Sequence, residues 1–172
     1  MEKQTSPAIK GLLISLALIV ISIAVTITKQ ETNRTLGLIP IAVFLGGIIW
    51  ATLSYSKQMD GNVTFGNVFS HGFKASALVA AVASLWAALS LGIIFPDSLD
   101  RVLDAQRVEM LKQNMDEDQI EKAMGMARKI AIPMGTIFTV IVYLFLGAIA
   151  SLIGAALAKK NPNPVFPEQT GN

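Results

Sequence analysis

The chain has no cysteine and a single histidine. Disulfides, thiolate nucleophiles and cysteine-ligated metals are therefore excluded, and one imidazole cannot make a ligand cluster. Charge is scarce as well: Asp, Glu, Lys and Arg form 15% of 172 residues and are gathered between long uncharged runs. No dense basic stripe stands behind the net charge of +2, and few aromatics are interleaved with the basic residues, so nucleic acid is not an expected partner. The remainder is apolar, 52% of the chain, more than a water-soluble domain of this size can hide in one core.

Four runs are long enough to cross a bilayer. The first, 11–28, is preceded by Lys3 and Lys10 and covers about 27 Å as a helix. It is longer than the apolar part of a signal peptide and has no Ala-x-Ala cleavage site, which makes it an uncleaved span. The second, 36–55, has Pro40 in its first turns and Trp50 and Tyr55 towards its far end. The third is 75–95, and the fourth is 133–158, with Pro133 suited to the first helical position. A proline-rich polar tail, 161–172, is expected to be disordered. The fold class is all-α: an integral membrane protein with four transmembrane helices and the bilayer as its main partner.

Lys and Arg count two before the first run, two in the first link, two in the second, six in the long segment before the fourth run and two after it. The six in the long segment are outnumbered by eight acidic residues. Because positive charge in short loops sets orientation, both termini are expected on the cytoplasmic side of a bacterial inner membrane.

The spans hold no Asp, Glu, Lys, Arg or His as bounded here, whereas coupled transporters and intramembrane hydrolases need ionisable groups at depth. No catalytic residue, cofactor or metal site is assigned. Asp97, Asp100 and Asp104, like Asp116, Glu117 and Asp118, match neither a calcium loop nor a His-supported metal site and read as solvated faces.

Between the second and third runs, Thr64 reads as a helix cap. Phe65, Phe69 and Phe73 then recur every four residues, as on a short helix lying in the membrane interface, with His71 exposed or interfacial beside them. Between the third and fourth runs, 97–130 reads as an amphipathic helical hairpin. Asn114 suits a left-handed helix end, Asp116 and Gln119 form a capping box, and Met115 and Ile120 are placed as a hydrophobic staple. Met110, Met115, Met124 and Met126 line the hairpin, where a protein partner is expected if one binds. Small residues at contact spacing, Ala77, Ala81 and Ser84 in the third run and Gly147, Ser151 and Ala155 in the fourth, point to packing of these two spans and leave association of copies open. Gly46 and Gly47 offer a similar contact in the second.

Several of these residues carry a family pattern: Thr64-Phe65-Gly66, Gly72-Phe73-Lys74, Pro96 with Asp97 and Asp100, Gln106-Arg107 with Met110, and the run from Met115 to Glu121 with Ala123, Met124 and Pro133. Over nearly its whole length the chain resembles the membrane family known as domain of unknown function 4199. Where that family usually reads Gly-Met-Ser-Glu-Glu-Gln-Ile, Asn114 replaces the Gly and Asp116 the Ser, and each keeps the physical role. The resemblance implies a four-span inner-membrane protein of a Gram-negative bacterium, typically of the Bacteroidota, and brings no activity with it. The sequence favours a non-enzymatic accessory, scaffold or envelope-regulatory component acting through helix packing and its hairpin. The alternative is a small oligomeric channel or permease.

Overall fold

The computed structural model describes residues 5–161, which form helices and, among the described residues, no strand. Helix α1 spans Pro7–Ile27, α2 Leu38–Gln58 and α3 Phe65–Leu89. The last continues through a π-helical turn, Ser90–Ile94, before α4, Pro96–Lys112, and α5, Glu117–Leu157. Among the described residues, four helical segments are long and apolar enough to cross a membrane: α1, α2, α3 with its π turn, and α5.

Local chemistry fixes the ends. The Ser6 hydroxyl accepts from the Ile9 N–H at 3.3 Å with Pro7 first in the helix, and Thr64 accepts from the Asn67 N–H at 3.2 Å to start α3. Asp60 and Gly61 take consecutive left-handed conformations (φ 50° and 75°) between α2 and α3. The end of the described chain docks on that turn: the Asn161 N–H donates to the Gly61 carbonyl at 2.8 Å, and a Cβ on Gly61 would meet the same nitrogen at 2.9 Å. Gly61 is needed there twice, for its backbone and for its missing side chain.

Three boundaries differ from the sequence expectation. Phe65, Phe69 and Phe73 do not form a separate interfacial helix; they are the first turns of α3, which runs unbroken through Lys74 into the span. Phe69 and Phe73 stack with centroids 5.8 Å apart, and the Lys160 ammonium lies 5.2 Å from the Phe65 ring centre. Pro133 is not the first helical residue before the fourth span, because α5 starts at Glu117 and carries Pro133 in its interior. The ring removes one N–H, and the carbonyl left over belongs to exposed Lys129, where water or headgroups can satisfy it. The helices that carry the spans also extend over ionisable residues outside the expected bounds: Lys10 in α1, and His71 and Lys74 in α3. The expected tail lies outside the described residues except at Asn161.

Helix α3 is the hub, touching α1, α2 and α5, and its interface with α5 is the largest in the molecule. Ile14, Leu18, Phe44, Ile48, Ala75, Val79 and Ala150 form the buried core, with the Phe44 and Tyr143 rings edge to face at 4.7 Å. Leu16, Val20, Phe138, Ile141 and Phe145 are exposed on the outer surface, where lipid is their solvent. The half of the bundle that holds the two ends of the described chain is closed by glycines. A Cβ on Gly72 or Gly154 would overlap Thr52, one on Gly147 would overlap Ser76, and one on Gly47 would meet Ile14 at 2.9 Å. At 41 residues α5 is about 61 Å long, twice the bilayer core, so its first turns project beyond the membrane.

Candidate functional site

The projecting part of α5 folds back along α4. Asn114 turns the chain at φ 56°, and the Asp116 carboxylate caps α5 by accepting from the Asp118 N–H at 3.0 Å. Gln119 is exposed, and among the described residues its side chain does not close the second arm of a capping box, because a hydrated amide gains little from that bond. Ile120 is 1% exposed, Leu103 is buried, Met115 is half-buried, and Arg128 reaches Asp100 across the pair at 2.8 Å. Replacing Asp116 with alanine should cost roughly 1 kcal/mol of local helix stability and replacing it with serine almost nothing. Hydrogen exchange of the first turn of α5 checks this.

A clamp ties this hairpin to the bundle. The Arg101 guanidinium on α4 binds the Glu31 carboxylate in the link between α1 and α2, and its Nη2 also donates to the Ser98 hydroxyl at 3.0 Å. Glu31 is well covered, and the bond from Arg101 holds its carboxyl below the usual carboxylate range. Sequence reading missed this pair. Its members lie 70 residues apart, and no local pattern joins them.

Below the clamp, in the half of the bundle away from the chain ends, α1 and α5 lie across from each other and leave a cavity of about 350 Å³. Its walls are mainly apolar, from Leu18, Ile19, Leu36, Ala83 and Ala87, and Glu31 and Ser98 form part of its roof. Trp86 Nε1 donates to the Ser22 hydroxyl at 3.1 Å within it. Thr26 and Ser90 also line it, 9% and 6% exposed, and among the described residues neither hydroxyl has a hydrogen-bond partner. Ser90 opens the π turn, an irregularity frequent at functional sites.

A second polar cluster sits in the closed half. Lys10 is 1% exposed, and its ammonium donates to the Ala51 carbonyl at 3.2 Å. His71, expected to be exposed or interfacial, is buried and stacked on Tyr55 with centroids 4.2 Å apart. His71 Nε2 and the Ser151 hydroxyl are buried without hydrogen-bond partners among the described residues. No group of three or more His, Asp or Glu is placed there, or elsewhere among the described residues, to hold a metal.

The expected packing residues divide. Gly147, Ser151 and Ala155 are buried on α5, and Ser84 is buried on α3. Ala77 is only half-buried and Ala81 is exposed; α3 presents Gly72, Ala75, Ser76, Val79 and Ala80 in their place. Small residues are so dense in this helix that their spacing fits more than one face. The register is chosen by Gly72, which lies before the start expected for the span. Gly47 meets Ile14, while nothing lies within 4 Å of a Cβ on Gly46.

Four apolar helices closing on small residues, with a helical excursion before the last, define a multi-pass α-helical membrane protein. The model of the family described as "Protein of unknown function (DUF4199)" matches residues 9–160, almost the entire described chain, and the chain belongs to that family. Neither the curated proteins nor the solved structures include a match.

Proposed function

We propose that the protein is a non-enzymatic accessory or scaffold component of a bacterial inner membrane, with the hairpin as its working surface and both termini cytoplasmic. The observation that carries this reading is that the hairpin is both anchored and incompletely covered. Arg101 and Arg128 fix it, yet Val108, Leu111 and Met126 remain 51%, 45% and 66% exposed beyond the part of the molecule that lipid would surround. A passive connection of this length has no need of a cap, a left-handed turn and two ion pairs. The excess of positive charge in short segments on the side of the chain ends supports the orientation.

The test is to exchange residues 99–128 for a flexible linker in a tagged copy and to compare what each version captures from native membranes. Labelling of a cysteine at Asn114 by an impermeant reagent in right-side-out spheroplasts first establishes the orientation. We expect the linker version to insert normally and to lose the co-purifying protein. Identical captures, or no exchange protection over residues 102–127, would overturn the reading. The channel alternative needs several copies, because the glycine contacts close one half of a single bundle. Span-dependent solute flux in liposomes would favour it.

A further inference from the structure

The cavity beneath the clamp has the shape and chemistry of a lipid site. It follows α1 from Ser15 to Thr26, about 16 Å along the helix axis, and has a volume of about 350 Å³. An elongated, mainly apolar space of this length suits an extended hydrocarbon chain. Several water molecules would be needed to fill the same space. Most of them would face Leu18, Ile19, Leu36, Ala83 and Ala87 with nothing to bond to.

Polarity is confined to a few points. Thr26 and Ser90, buried as residues, line the cavity with hydroxyls that have no partner among the described residues and are not sealed off from it, and both sit in the half nearest the clamp. A hydroxyl that faces a mainly apolar cavity without a protein partner is open to a hydrogen bond from whatever occupies that cavity. At the roof Glu31 is already neutralised by Arg101, so a ligand need bring no charge, and a free carboxylate would confront the Glu31 carboxylate.

We propose that this cavity binds one acyl chain of a membrane lipid, with the chain between α1, α3 and α5 and its uncharged ester group at the Thr26 and Ser90 hydroxyls. The bilayer supplies such chains at high concentration. The small side chains of Ala83 and Ala87 leave the room that longer ones would fill.

The experiment uses the full-length protein in nanodiscs containing a phospholipid with a photoreactive diazirine in its acyl chain, and maps the adducts by peptide mass spectrometry. Adducts are expected on Leu18, Ser22 or Ala87 inside the cavity as well as on outward-facing Leu16 and Phe138. In Ala87→Leu the internal adducts should fall about tenfold or more while the outward ones persist. A denaturation midpoint close to that of the native chain reports that the variant is folded, and Ala83→Leu serves if Ala87→Leu is not. A free fatty acid bearing the same diazirine is the second arm. Internal labelling by the acid and not by the phospholipid would overturn the assignment of an esterified chain. Adducts confined to outward-facing residues with both probes would overturn the site itself.

Discussion

Gly147→Leu should strongly lower the stability of the folded protein, whereas Gly135→Leu on the same helix should leave it unchanged. At Gly147 even a Cβ would overlap Ser76, and Phe44 stands 3.4 Å away on the other side, so the side chain can enter only by separating α3 from α5. Overpacking a well-fitted core costs typically 1–3 kcal/mol and occasionally more. Four added carbons between two helices belong at the upper end of that range, about 3 kcal/mol or above, a large share of the ~5–15 kcal/mol that holds a typical domain. At Gly135 nothing lies within 4 Å, and the added side chain would enter lipid or headgroups. Denaturation midpoints of the two variants in the same detergent give the comparison, and equal midpoints would refute the glycine-mediated contact.

Releasing the clamp should free α4 without unfolding the bundle, and it should do so in a pH-dependent way. Glu31 has its carboxyl held below the ordinary range by the hydrogen bond from Arg101. A group depressed in the folded state stabilises it above the unfolded value, about 4.3 for Glu, and that contribution disappears as pH falls through the folded value. Protection of α4 against hydrogen exchange should therefore be flat from neutral pH to about pH 5 and decline below it. Glu31→Gln should show reduced protection at neutral pH and no such decline. Arg101→Ala should lose more, since it leaves a covered carboxylate unpaired and takes the donor from Ser98. Protection of α4 in Glu31→Gln equal to that of the native chain at every pH would show that the pair does not hold the hairpin. The bundle core around Phe44 and Val79 should remain protected in both variants.

The number and order of the helices were legible because uncharged length is a local property, read directly from the runs 11–28, 36–55, 75–95 and 133–158. Their ends were less so. A rule that stops a span at the first charge excludes Lys10 and Lys74, although α1 and α3 include them and Lys10 is buried. The turn at Asn114 and the cap at Asp116 were visible because each depends on neighbours within a few residues. The α3 face was misplaced at Ala77 and Ala81 because helix packing depends on the partner's shape, here the groove of α5 at Gly147 and Ser151. The clamp and the cavity left no trace in the sequence: Glu31 with Arg101, and Ser22 with Trp86, meet across 70 and 64 residues.

The length of α5 has a mechanical consequence. One helix carries the cap at Asp116 at its beginning and Gly154, seated on Thr52, near its end, so a single rod runs from the hairpin through the bundle to the turn that holds Asn161. A rod of this kind transmits a tilt from one end to the other, and it is weakest where a rung of its hydrogen-bond ladder is missing. In α5 that place is Pro133, between the hairpin and the core. Leverage applied to the hairpin would concentrate bending there, sparing the glycine contacts beyond it.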